Sequence, residues 1–325
     1  SVRGIARDLT AAGLGSLKEL IVDKIKGGFV SDVKWLRKFN QQDEYLCPGV
    51  AGRFFKNVNN TSSPEWLKRR LTAIGLRPIS ALVDITNYGN GGFADYCVMH
   101  HSSIFKLPDE MTFEEGGLVE PFAVSYRAVR RTGARPGSKV VILGSGTIGL
   151  FCLAAAKAEG IDDVFITAKY DHQEKIAERM GASYVIRADQ KDTRSEIASL
   201  TNGKGVDVVL ESVGARGSFN DAIAITRSGG TVCLIGGYYR SGEMLNVEQD
   251  QLSRIVIYEI NIIGSNCYGY SGIRKDFDSV IDLISSKKVN TSSIITHRFP
   301  LSKIDEAYKI ASDKSTGSIK VHIQP

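Results

Sequence analysis

Residues 140–149 read Val140-Val141-Ile142-Leu143-Gly144-Ser145-Gly146-Thr147-Ile148-Gly149. Four apolar residues, three of them β-branched, predict a short strand buried on both faces. A G-x-G-x-x-G spacing follows at once, and the alanine- and leucine-rich run Thr147 to Glu159 predicts a helix. In that context each glycine has a physical task. Gly144 permits a tight turn, Gly146 lets the backbone approach a pyrophosphate, and Gly149 lets helix and strand pack closely. Gly144, Gly146, Thr147, Ile148 and Gly149 are therefore expected to hold a dinucleotide, its charge drawn to free N–H groups and the helix dipole.

The same rhythm continues outward. Val164 to Thr167, Tyr184 to Ile186, Val206 to Leu210 and Thr231 to Ile235 predict strands. Between them, Gln173 to Met180, Ser195 to Leu200 and Ser218 to Thr226 predict helices. Strands alternating with helices at this spacing predict an α/β Rossmann domain, a doubly wound parallel sheet. The second strand ends in Ala168-Lys169-Tyr170, where an NAD-selective domain usually places an acid for the ribose hydroxyl. A small residue followed by a cation leaves room and charge for a 2′-phosphate, so NADP is expected. Asp171 keeps NAD open.

A change of style falls near Tyr88 to Gly92. Before it, Ser1 to Leu20 predicts an amphipathic helix and Lys24 to Lys38 is basic and irregular, with Trp35 as its anchor. Arg53 to Val58 and Ala81 to Ile85 predict strands. Ser63-Pro64-Glu65-Trp66 predicts a helix start, with Ser63 as N-cap and Pro64 in the first helical position. These elements describe a smaller, partial α+β N-terminal domain.

The chain has 325 residues, enough for two cores. Hydrophobic content of 42% and charged content of 24% suit a soluble globular protein. The net charge of +5 favours anionic ligands without pointing to nucleic acid. No apolar run has the length of a membrane span and no signal layout opens the chain, so the cytoplasm is expected. The first residue is Ser1, which reads as a piece of a longer reading frame. Five cysteines, Cys47, Cys97, Cys152, Cys233 and Cys267, form no C-x-x-C pair and are expected to be reduced. The N-x-S/T triplets at Asn59, Asn60 and Asn290 are expected to be chance matches.

From about Gly89 to Pro325 the chain resembles the zinc-type branch of the medium-chain dehydrogenase/reductase family. Gly91-Gly92-Phe93-Ala94-Asp95-Tyr96, Glu120-Pro121-Phe122-Ala123-Val124 and Ala128-Val129-Arg130-Arg131 carry the likeness before the glycine loop. Asp207 to Glu211, Gly229 to Val232, Gly264-Ser265-Asn266-Cys267-Tyr268 and Ser318-Ile319-Lys320 carry it afterwards. The resemblance implies that Val213, Gly237 and Cys267 lie along the cofactor, beside Ala168 and Lys169 at its ribose, with Lys320 near its phosphates. It also implies a homodimer paired through the strand around Val256 to Gly264. A catalytic zinc needs three protein ligands and an open position. The family's first Cys and its His-Glu pair have no counterpart before Gly89, and Glu120 alone cannot hold a metal. His100 and His101 alternate faces if they lie on a strand. The expected zinc site is incomplete, and no metal ligand is assigned.

The N-terminal part resembles the bacterial phenylalanyl-tRNA synthetase β subunit, in its B3/B4 region. Ser1 to Leu9, Cys47-Pro48 with Ala51-Gly52-Arg53, Ser63 to Leu71, Gly75 to Ser80 and Val83-Asp84-Ile85-Thr86-Asn87-Tyr88 carry it. The later editing and catalytic parts are missing, so neither aminoacylation nor editing is expected. Residues 1–88 thus read as this fragment, 89–137 as a connecting segment, and 138–325 as the dinucleotide-binding domain. The expected function is hydride transfer between NADP and a small alcohol or carbonyl substrate. No residue stands out to polarise the substrate oxygen, with Tyr96 and Lys169 the named candidates. A non-catalytic dinucleotide-binding module and a synthetase-related RNA-binding fragment stand as alternatives.

Overall fold

A strand whose residues alternate between two apolar layers must lie inside a sheet covered on both sides. The computed structural model describes residues 105–237, 247–272 and 274–324, together with Ser62, Ser63, Glu65 and Lys68. The chain divides between Ile104 and Phe105 into two units, and the second unit is described here. The expectations for Tyr96, Cys47, Cys97, His100, His101 and nearly all of the N-terminal region lie outside the described residues. Glu65 and Lys68 are helical and paired at 3.8 Å.

The second unit opens with α1 (Phe113–Arg131), a single helix through both segments expected to connect the domains. Thr112 caps it: its hydroxyl accepts from the Glu115 N–H, and the Glu115 carboxylate accepts from the Thr112 N–H at 2.9 Å. Then follow β1 (Val140–Leu143), α2 (Thr147–Ala158), β2 (Val164–Ala168), α3 (Asp171–Arg179) and β3 (Tyr184–Arg187). The second half brings α4 (Thr193–Leu200), β4 (Val206–Glu211), α5 (Arg216–Ile225), β5 (Thr226–Leu234), α6 (Gln249–Ile257) and β6 (Asn261–Gly264). A short hairpin of β7 (Tyr270–Ser271) and β8 (Arg274–Lys275), then α7 (Asp276–Ser285), β9 (Ile295–Pro300), α8 (Ile304–Ser312) and β10 (Lys320–Gln324) complete the unit.

The main sheet is parallel, in the order β3-β2-β1-β4-β5-β6. Val140 and Ile142 face a core that holds Leu118, Phe122, Phe151 and Ile281 from α1, α2 and α7. Val141 and Leu143 face the other core, with Ile197, Phe219 and Ile223 from α4 and α5. The Phe122 and Phe151 rings stack at 4.9 Å, so α1 is locked onto α2.

Two expectations change. The expected strand around Val256 to Gly264 is a strand only from Asn261, because residues 249–257 form α6. There, Gln251 and Ile255, four apart, face inward on one helical side, and Glu259 turns the chain with φ +53°. The expected strand Thr231–Ile235 begins earlier, at Thr226. The remaining shifts are one or two residues at element ends, as at Ala168, which closes β2, and Asp171, which opens α3.

Candidate dinucleotide site

The sheet order reverses direction between β1 and β4, which leaves a crevice beyond their carboxyl ends. Gly144 stands there with φ +95°, and its N–H donates to the Thr167 hydroxyl at 2.8 Å. A Cβ at Gly144 would lie 2.8 Å from Val213 Cγ2 and 3.0 Å from Ser212 Oγ. The turn after β4 therefore closes directly over the start of the glycine loop. Ser212 adds a hydrogen bond from its hydroxyl to the Leu143 carbonyl at 2.7 Å.

Glu211, fully buried, shapes that turn. Its carboxylate accepts from the N–H groups of Val213 and Gly214 at 2.8 and 2.9 Å, and from the Ser218 hydroxyl at 2.8 Å. A Cβ at Gly236 would meet the same carboxylate at 2.6 Å, and one at Gly214 would meet the Gly237 nitrogen at 2.7 Å. The ends of β1, β4 and β5 thus converge, bringing Gly144, Val213 and Gly237 together. Glu211, Ser212, Gly214 and Gly236 escaped the residue-level reading. A buried acid at a strand end is ambiguous in sequence, since only its backbone donors show what it holds.

Gly146 caps α2 with φ −75°, and a Cβ there would meet nothing within 4 Å. Space therefore lies open in front of the helix N-terminus, where unpaired N–H groups attract an anion. The neighbouring Ser145 hydroxyl is buried and has no hydrogen-bond partner. Gly149 is different. A Cβ there would lie 2.8 Å from the Gly144 carbonyl carbon and overlap its oxygen. Thr147 donates its hydroxyl to the Ile319 carbonyl at 2.9 Å, which brings Lys320 alongside the helix start. The Ile148 carbonyl accepts from Ser125 of α1 at 3.0 Å. These features fit a pyrophosphate.

Beyond β6, Cys267 is exposed with φ +53°. Its loop is pinned from below by fully buried Asp276, which accepts from the Gly269 N–H at 2.7 Å and the Ser271 hydroxyl at 2.5 Å. Arg127 of α1 donates to the Tyr270 carbonyl at 2.9 Å and lies 3.4 Å from Asp276.

At the other end of the crevice Ala168 is buried at the tip of β2, and Lys169 is exposed with its ammonium 5.7 Å from the Tyr170 ring centre. Asp171, the acid that kept NAD open, is bound by Arg187 at 2.5 Å. Arg187 also holds Glu174 at 3.0 Å and Asp189 at 2.9 Å. The register that pairs Ala168 with Arg187 sets this cluster beside the strand tip.

Among the described residues, no group of three His, Cys, Asp or Glu could hold a metal ion. Glu120 is exposed on α1. Cys152 and Cys233 are buried, and burial pushes both thiols up to about 12. They stay protonated and pack as small apolar groups. Among the described residues no helix is long and apolar enough to cross a membrane.

Comparison with known proteins gives two families. The zinc-binding dehydrogenase model matches residues 147–286, and the B3/4 domain model matches residues 46–90. Sorbitol dehydrogenase of Bacillus subtilis is 31% identical over 73% of this chain and 64% of its own length. Sorbitol dehydrogenase of Halalkalibacterium halodurans is 31% identical over 74% of this chain and 67% of its own. Among solved structures, a zinc-binding dehydrogenase from Sinorhizobium meliloti bound to NADP is 27% identical with a TM-score of 0.64, covering 72% of this chain and 66% of that one. The chain thus spans just under two thirds of the Bacillus subtilis relative's length. An NAD(P)-type Rossmann crevice, this sheet order and these matches agree: the chain belongs to the zinc-type medium-chain dehydrogenase family, with a phenylalanyl-tRNA synthetase-like B3/4 segment ahead of the dehydrogenase part.

Proposed function

We propose that the protein is an NADP-dependent oxidoreductase acting on a hydroxyl or carbonyl group of a small polyol or alcohol. The observation that carries this reading is the open cradle at Gly146, set at the reversal point of the sheet. Gly144, Gly146, Thr147, Ile148 and Gly149 would receive the pyrophosphate, with Lys320 adding charge. Val213, Gly237 and Cys267 would line the nicotinamide half, Ala168 and Lys169 the ribose. The cofactor, when bound, accepts a hydride from the carbinol carbon while the hydroxyl proton leaves to solvent, which yields the carbonyl product. The chain's part is to hold the ring against that carbon and away from water. The described residues do not fit a zinc site, so no step passes through a metal.

NADP is preferred over NAD on two grounds. Ala168 offers no acid to a ribose hydroxyl, and Asp171 is committed to Arg187. Replacing Lys169→Gln should weaken NADPH about tenfold, or ~1.4 kcal/mol, and leave NADH nearly unchanged. Fluorescence titration of both nucleotides tests this, and equal losses for the two would refute the assignment. Activity assays with a polyol panel, with and without added zinc, test the chemistry. A non-catalytic dinucleotide-binding module is the second reading, favoured by the lack of three convergent ligands among the described residues.

A homodimer also belongs to this proposal. β6 lies at the sheet edge, and beside it Leu252, Val256 and Ile257 of α6 are exposed. An unpaired edge flanked by apolar surface suits a second copy of the chain. The free thiols Cys152 and Cys233 suit a reducing cytosol.

A further inference from the structure

In each β-α-β unit the helix runs antiparallel to its strands, so the C-terminal ends of α2 and α3 lie at the edge of the sheet opposite the glycine loop. There the loop between α7 and β9 meets both helix ends and encloses a cavity of about 540 Å³. Lys157, Arg179 and Lys288 line it from three different segments, and no carboxylate does. Asn290, Ser292 and Ser293 add amide and hydroxyl groups, and Met180 with Val289 forms an apolar floor.

Helix ends explain part of this charge. Lys157 and Arg179 stand in the last turns of α2 and α3, where cations offset the helix dipole. Lys157 is also 3.7 Å from Asp162, whose exposed carboxylate lies outside the cavity lining. Lys288 has no such reason. It belongs to a loop, is exposed, and has no hydrogen-bond or ion-pair partner among the described residues. Three cations converging on one concavity repel each other unless an anion joins them. The volume suits a small ligand, and the helix-end carbonyls can accept from ligand hydroxyls.

We propose that this cavity is a second binding site, separate from the dinucleotide crevice, for a phosphorylated small molecule of the sugar-phosphate type. The phosphate would sit among Lys157, Arg179 and Lys288, and the polar loop residues would face its hydroxyl-bearing body.

Calorimetric titration of the full chain with fructose 1,6-bisphosphate at low salt tests this. The expected result is saturable 1:1 binding that weakens as salt rises and persists at saturating NADPH. The Arg179→Gln/Lys288→Gln variant should bind at least about tenfold more weakly, or ~1.4 kcal/mol. Lys288→Gln alone removes an exposed, unpartnered side chain and should weaken binding without lowering the melting temperature. Three results would overturn the proposal: no saturable binding at millimolar probe, displacement of the probe by NADPH, or wild-type affinity in both variants. Equal binding of unphosphorylated fructose would overturn it as well.

Discussion

Gly146 and Gly149 sit three residues apart in one loop, yet they are glycine for unrelated reasons. A methyl at Gly149 would overlap the Gly144 carbonyl, and neither backbone segment can yield without moving α2 off β1. Gly149→Ala should therefore destabilise the unit by ~3 kcal/mol or more, read from denaturant unfolding. A methyl at Gly146 would enter open space. Gly146→Ala should cost about 1 kcal/mol or less as a weaker cap, while NADPH affinity falls at least about tenfold. Asp192 shows a residue effect that depends on pH. Its carboxylate accepts from the Ser195 hydroxyl at 2.6 Å and the Ser195 N–H at 2.8 Å, which hold it below the usual carboxylate range. Because the folded pKa is the lower one, the stabilisation is complete above the unfolded value, about 4, and is lost as pH falls through the folded one. Asp192→Ala should cost ~1 kcal/mol at neutral pH. Thermal melts of variant and wild type should converge in strong acid.

At the scale of elements, α6 and β6 depart most from what the sequence suggests. Ile255-Val256-Ile257 and Ile260-Asn261-Ile262-Ile263 read alike as strand, but Glu259 in the left-handed region separates a helix from a strand. Arg254 reaches from α6 to the carbonyls of Ile223 and Thr226 at 3.2 and 3.1 Å, closing the open end of α5. That contact turns Val256 and Ile257 outward, 77% and 72% exposed, so they cannot be core residues of this unit. Val256→Glu should then leave the melting behaviour of the isolated subunit unchanged and shift light-scattering mass from dimer toward monomer. An unchanged mass would count against the interface. Elsewhere the periodicity was a sound guide. β1, β2 and β4 are apolar runs without alternation, and each is buried on both faces.

At the scale of the whole unit, the crevice exists because β4 follows β3 in the chain but lies on the other side of β1. Strand ends β1, β4 and β5 converge on Gly144, Val213 and Gly237, while β2 and β3 carry the ribose end. A ligand that bridges both halves stabilises the folded unit by mass action. NADPH at a hundredfold excess over its dissociation constant should add about 2.7 kcal/mol, a shift of several degrees in melting temperature. Gly146→Ala should show little of that shift. An equal shift in both proteins would mean that the nucleotide binds elsewhere.

The sequence by itself determined the strand-loop-helix at Val140 to Gly149, the parallel alternation after it, and the absence of an acid at Ala168. These are local: a buried strand, a glycine turn and a strand tip each depend on residues within one or two turns of chain. Tertiary structure decided what those residues meet. The commitment of Asp171 to Arg187, the grip of Glu211 on the turn over Gly144, and the outward face of α6 all join residues from different elements. Such contacts depend on strand order and register, and no short-range pattern encodes either.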